Sequence, residues 1–300
     1  MELLLAAAVI LPVLIYGVFP ALVRRLFEAP RRVETLTPAD LGLPYRTERI
    51  ETENGKRLFA WYIPVQNADP APAVALLHGW GGNAQYLLPF ARLLHAAGFA
   101  VLLLDARNHG RSDADDFSSM VKFAEDLEHG LDWLEAQPEV DAGRIGVLGH
   151  SVGAAAALLV APRRPRVRAV VSIAAFAHPG ELMRQMMAAQ RIPYWPVGWW
   201  VLRYIEKQIN ARYDDIAPVN TIRRIACPVL LVHGEQDRTV PVADAHAIYG
   251  NRPGANVELW TLPDAGHGSV RRIESHGARI VAFFDAALRS GGADTREARA

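Results

Sequence analysis

Gly149, His150, Ser151, Val152 and Gly153 form a G-x-S-x-G sequence where an apolar run gives way to a block of alanines. A serine between two glycines at a strand-to-helix turn holds its hydroxyl exposed on a strained backbone, and the helix N-terminus behind it favours negative charge. That arrangement suits a nucleophile. The structural alternative is a serine that only caps a helix. A serine nucleophile needs a base, and the base needs an acid to orient it. The apolar run at 228–232 leads into "HGEQDRTVP", which puts Asp237 just past its end, and the run at 256–262 leads into "LPDAGHGS", which puts His267 in the next such loop. Taken singly, Asp237 reads equally as an Asx-turn residue and His267 as a surface-loop histidine. Serine, acid and histidine in that order, each beyond a separate apolar run, point to a triad. A fourth run ends in "HGWGG" at 78–82. Its glycines let the backbone reach a carbonyl, and the expected oxyanion donors are the N–H groups of Trp80 and Val152.

These loops need elements that bring them together. Short apolar runs at 73–77, 99–104, 145–148, 167–173, 228–232 and 256–262 alternate with helical stretches near 83–97, 119–137, 152–161, 241–249 and 270–289. Runs without polar alternation suit strands covered on both faces, and the βα order predicts a parallel sheet with right-handed crossovers. Ligands then bind beyond the carboxyl ends of the strands. Asn54-Gly55 between two strand-like stretches predicts a hairpin over 46–63. Residues 176–214 are long for a crossover and contain Tyr194, Trp195, Trp199, Trp200 and Tyr204; they read as a helical lid. Trp195 and Trp199 are candidates for a substrate pocket, or for a membrane-facing surface, or for ordinary packing.

The 300 residues are 51% hydrophobic, enough for one large domain with a deep core. Lys plus Arg equals Asp plus Glu, 32 each, so no global charge draws the chain to nucleic acid. Cys227 is the single cysteine, which leaves no intrachain disulfide. No repeat and no zinc-type Cys/His spacing occurs in the sequence. Leu3–Val23 contains no charged residue, and as a helix it would rise about 30 Å, the thickness of a bilayer core. The alternatives are a cleaved signal peptide or a buried helix; the n-region holds only Glu2 and no convincing cleavage site precedes the arginines, so residues 1–23 are expected to be an uncleaved transmembrane anchor. Arg24, Arg25, Arg31 and Arg32 follow it and assign the rest of the chain to the cytoplasm. Residues 24–45, with Pro30, Pro38 and Pro44, read as a linker, 46–289 as the domain, and 290–300 as a frayed tail.

The pieces "HGWGG", "DARNHGRSD", "GHSVG", "HGEQDRTVP" and "DAGHG" together resemble the α/β-hydrolase superfamily, and within it small serine hydrolases with an N-terminal membrane anchor. The resemblance spans roughly 46–289. It implies a mostly parallel eight-stranded sheet, a triad of Ser151, Asp237 and His267, and neither metal nor organic cofactor. Val152 stands where Met, Gln or Leu is often found, and only its backbone is recruited. Asp105 and Asp113 offer an alternative acid, against loop bracing; His78 and His150 read as turn braces, and "PRRPRVR" at 162–168 as a solvated loop. The expected activity is hydrolysis of carboxylic esters, lipid esters among them. A thioesterase, peptidase or acyltransferase using the same residues is the nearest rival, and a non-catalytic membrane adaptor is the rival of another class.

Overall fold

A computed structural model describes residues 17–26, 28–66 and 69–289. Eight strands form one sheet: β1 (Arg46–Thr52), β2 (Lys56–Ile63), β3 (Ala71–Leu77), β4 (Ala100–Leu104), β5 (Val140–His150), β6 (Val167–Ile173), β7 (Val229–Gly234) and β8 (Val257–Leu262). Their order is β1-β2-β4-β3-β5-β6-β7-β8. β2 runs antiparallel to both neighbours, and β3 to β8 are parallel. The hairpin joining β1 to β2 turns at Asn54 and Gly55, both with φ near 60°, the left-handed conformation that the Asn-Gly pair tolerates.

The helices are α1 (Phe19–Leu26), α2 (Leu88–Ala96), α3 (Met120–Glu135), α4 (Val152–Val160), α5 (Pro179–Ala189), α6 (Trp199–Gln208), α7 (Tyr213–Ile216), α8 (Pro218–Thr221), α9 (Val242–Gly250), α10 (Val270–Glu274) and α11 (Gly277–Arg289). α3, α4 and α9 cover one face of the sheet, where Phe123, Leu127 and Ile248 meet Ala75, Leu77 and Val147. α2 and α11 cover the other, where Phe90, Leu94 and Phe284 meet Val74, Leu103 and Val171. Burial on both faces explains why the strand runs lack polar alternation. Ala154 to Ala157 are fully buried; their small side chains let α4 lie close against the sheet.

Two expected helices are interrupted. The stretch at 83–97 opens with a tight turn over Ala84–Leu87, and α2 proper starts at Leu88, with Pro89 in its first turn, where a missing N–H costs nothing. The stretch at 270–289 divides into α10 and α11 around Ser275, whose hydroxyl donates to the Arg272 carbonyl.

The N-terminal expectations are corrected in two places. Residues 3–16 of the expected anchor lie outside the described residues, and no described helix is long and apolar enough to cross a membrane. The last residues of that expected span belong to the domain: Val23 is buried, and Phe19 packs on Trp200 and Tyr204 of α6. Residues 28–45, expected as a linker, are tied down along the loops after β3 and β4. Gln85 Oε1 accepts the N–H groups of Thr35 and Leu36, Asn83 donates to the Arg32 carbonyl, and Arg31 donates to the Ser112 carbonyl. An extended segment with free backbone groups satisfies the polar side chains of those loops, so this stretch docks as a strap.

Candidate active site

Ser151 sits between β5 and α4 with φ 54° and ψ −118°, a costly conformation for a residue with a side chain. Its N–H donates to the Ile173 carbonyl at 2.8 Å, and its carbonyl accepts from Ala155 at 3.0 Å, which fixes the turn. Both flanking glycines are required. A Cβ on Gly149 would strike the Gly153 carbonyl, and one on Gly153 would strike the carbonyls of Leu77 and His78. Gly153→Ala is therefore expected to push α4 away from β3 and to cost about 1–3 kcal/mol by overpacking; calorimetric unfolding measures it, and an unchanged Tm would show that the turn has room to spare.

The turn delivers the hydroxyl to His267. His267 Nε2 lies 3.0 Å from Ser151 Oγ, and His267 Nδ1 donates to Asp237 Oδ2 at 2.7 Å. Asp237 Oδ1 accepts the N–H groups of Thr239 and Val240, both at 2.8 Å. Burial drives the Asp237 carboxyl upward, but hydrogen bonding from His233 and His267 and from the Val240 N–H outweighs it and holds the pKa well below the usual carboxylate range. An ionised Asp237 keeps the His267 proton on Nδ1 and leaves Nε2 free to accept from the serine. Ser151, Asp237 and His267, expected at three strand ends, thus meet in one hydrogen-bonded line.

His150 and His78 act as braces. His150 Nε2 donates to the His267 carbonyl at 2.9 Å, and burial, aided by neighbouring His267, lowers its pKa to about 4. His78 Nδ1 donates to the Gly79 carbonyl while its Nε2 accepts the Ala106 N–H, joining the loops after β3 and β4. Burial, with His109 nearby, lowers its pKa to about 3, so it stays neutral. Neither Trp80 N–H nor Val152 N–H donates to a protein acceptor among the described residues. Both residues border the same cavity as Ser151, and the Trp80 indole lies parallel to the Phe123 ring at 6.5 Å. Two free N–H groups beside a serine can hold an oxyanion.

The alternative acids serve other contacts. Asp105 is fully buried and accepts from Ala84 N–H at 2.7 Å and Arg111 N–H at 2.8 Å; burial, and then the neighbouring Glu34 carboxyl, raise its pKa well above the ordinary value. Asp113 accepts the Arg57 N–H at 2.9 Å. Both brace the loop after β4, and neither bonds His267. Among the described residues no cluster of His, Cys, Asp and Glu has the makings of a metal site.

A cavity of about 480 Å³ opens beside Ser151 and His267. Leu182, Met183 and Met186 of α5, and Tyr204 and Ile205 of α6, form its lid side; Val23 of α1 closes part of it. Among the described residues, no Asp, Glu, Lys or Arg lines it. Trp195 and Trp199, expected at the pocket, do not line it. They stand on the outer face of the lid, because α5 and α6 turn Leu182, Met183, Tyr204 and Ile205 toward the cavity instead. Sequence reasoning missed Met183, Tyr204 and Val23, as nothing in their spacing says which lid face turns inward. It also missed His233, buried against Asp237 at 3.4 Å, although a histidine four residues before the acid was a visible signal. A larger open groove of about 710 Å³ along β8 is lined by none of the site residues.

The prolyl oligopeptidase family matches residues 91–291. An uncharacterized protein of Mycobacterium tuberculosis is 31% identical over 192 residues, which are 64% of this chain and 62% of that relative's length. Protein bem46 of Schizosaccharomyces pombe is 23% identical over 245 residues, 80% of this chain and 77% of that protein. An esterase of Pyrococcus furiosus superposes with a TM-score of 0.71 at 26% identity, covering 87% of this chain and 97% of its own. The family match takes in Ser151, Asp237 and His267 together with the strands that carry them, and the chain belongs to the prolyl oligopeptidase family, within the α/β-hydrolase superfamily.

Proposed function

We propose that the chain is a serine hydrolase of carboxylic esters with an apolar acyl group. Ser151 attacks the acyl carbon while His267 takes its proton and returns it to the leaving alkoxide. Asp237 orients His267 and stabilises its cation. The Trp80 and Val152 N–H groups hold the oxyanion; water, giving its proton to His267, then attacks the acyl-enzyme, and Ser151 leaves with that proton as the acid is released. The observation that carries this reading is the Ser151–His267–Asp237 line opening into a cavity that, among the described residues, no Asp, Glu, Lys or Arg lines. An acyl chain is matched there, whereas a peptide's charged terminus would find no partner. The esterase from Pyrococcus furiosus supports ester chemistry by likeness. The localisation proposed with this activity is the cytoplasmic face of a membrane, reached through the apolar residues 3–16, which as a helix would rise about 21 Å, short of a bilayer core.

The test pairs a fluorophosphonate probe with a panel of esters and thioesters graded by acyl length. Ser151 should be the labelled residue. Each methylene buried in the cavity should contribute roughly 0.8 kcal/mol, about fourfold in kcat/KM, until the cavity is full. Met183→Trp fills part of the cavity and should move the optimum to shorter acyl chains while sparing acetate esters. A probe that fails to label, or a length profile that Met183→Trp leaves unmoved, rejects the reading. Preference for thioesters at equal acyl length would favour the thioesterase alternative.

A further inference from the structure

The outer face of the lid is an apolar surface without a partner among the described residues. Trp195 is 69% exposed, Met186 55% and Val197 47%, with Tyr194, Trp199 and Trp200 also open. The Trp195 and Trp199 rings are 5.6 Å apart. α1 extends the surface: Phe19 lies 4.4 Å from Trp200, and Leu22 is 54% exposed. Soluble monomers rarely leave so many large apolar groups contiguous. Met186 belongs both to this face and to the cavity lining, so the cavity borders the face.

We propose that this face seats on a lipid bilayer at headgroup depth, so that the cavity takes its ester directly from the membrane. The inference rests on the membrane-held reading of the N-terminus. Residues 3–16, "LLLAAAVILPVLIY", carry no charge and lead straight into α1, whose Phe19 is part of the same surface. A lipid bilayer would take up both this face and that apolar run. Tryptophan and tyrosine favour the boundary between headgroups and acyl chains. Arg191, just before the tryptophan segment, and Lys207, two turns beyond Trp200 on α6, make no ion pair among the described residues; such cations suit lipid phosphates. Seated this way, the lid lets an acyl chain pass from bilayer to cavity without crossing water.

The experiment uses the full chain and vesicles of phosphatidylcholine with a minority of phosphatidylglycerol, some acyl chains dibrominated. Flotation reports membrane attachment, and bromine quenching of tryptophan fluorescence reports the lid. The chain should float and be quenched. Trp195→Phe with Trp199→Phe and Trp200→Phe should float equally and lose most of the quenching. Leu22→Glu with Val197→Glu alters exposed residues outside the cavity; it should keep turnover of a soluble short ester and lose at least about tenfold on a vesicle-borne ester, the factor that roughly 1.4 kcal/mol of lost affinity produces. A floating chain whose tryptophans stay unquenched and open to aqueous acrylamide overturns the docking and leaves the membrane-held reading intact. Quenching that survives the triple Phe variant overturns it too. A chain that does not float overturns both. Quenching without turnover of any ester upholds the docking and rejects the esterase reading instead.

Discussion

Replacing Ser151 with alanine is expected to lower kcat by about a millionfold, the scale seen when a triad serine is lost. The protein should remain folded. Ser151 Oγ makes one hydrogen bond, to His267, while the backbone of the turn is held by the Ile173 carbonyl and the Ala155 N–H, which alanine leaves in place. Its φ of 54° is no worse for alanine than for serine. Stability should therefore change by no more than about 1 kcal/mol, and the cavity should still bind a non-hydrolysable ester analogue. The measurement is a burst-free turnover assay on purified variant, with thermal unfolding alongside. Residual activity above a percent of wild type, with wild-type Tm, would move the nucleophile elsewhere. The residual rate above water expected from the Trp80 and Val152 N–H groups is far below that threshold.

Much of this site could be read from the chain because its parts are local. Gly149 and Gly153 declare a tight turn on their own, and Asp237 and His267 each follow an apolar run too short to be anything but a strand. Parallel order then brings all three strand ends to one edge without any knowledge of side-chain packing. The hairpin at Asn54-Gly55 was legible for the same reason. What escaped depends on contacts between remote segments. Whether Met183 or Trp195 turns toward Ser151 is decided by how α5 and α6 lie across the sheet, and both residues are apolar. Val23 reads as the end of an anchor because the residues before it are uncharged, yet it is buried against the domain and lines the cavity. The strap over 28–45 looked like a tether because its bonds are made by Gln85, Asn83 and Ser112, fifty to eighty residues away. One practical consequence follows. A truncation at residue 30, natural for making a soluble form, removes Val23 from the cavity wall and Pro30 from its place against Gly81, so substrate preference measured on it would not be that of the full chain.

Asp237→Asn is expected to lower kcat by roughly four orders of magnitude, the loss seen when the same change reverses the histidine tautomer in a comparable triad. The hydrogen bonds around Asp237 fix which way the asparagine turns. One carboxylate oxygen accepts two backbone N–H groups, from Thr239 and Val240. An amide NH2 cannot accept them, so the asparagine oxygen must occupy that position and its NH2 must face His267. His267 Nδ1, which donates to Asp237 Oδ2 at 2.7 Å, would then have to accept. The imidazole proton moves to Nε2, and the atom 3.0 Å from Ser151 Oγ can no longer take the serine's proton. The backbone bonds survive, so the variant should fold and its Ser151 should react slowly with a fluorophosphonate. Asp105→Asn and Asp113→Asn are the controls. Each Asp105 oxygen accepts a backbone N–H, from Ala84 and Arg111, so the asparagine leaves one of them unpaired and should cost about 1–3 kcal/mol of stability; Asp113 holds only the Arg57 N–H, which an asparagine oxygen can still accept, and its change should cost about 1 kcal/mol or less; both should leave the turnover of folded protein near wild type. An Asp237→Asn variant of near-normal activity beside an inactive Asp105 or Asp113 variant would transfer the acid to the loop after β4, and with it the geometry on which the esterase reading depends.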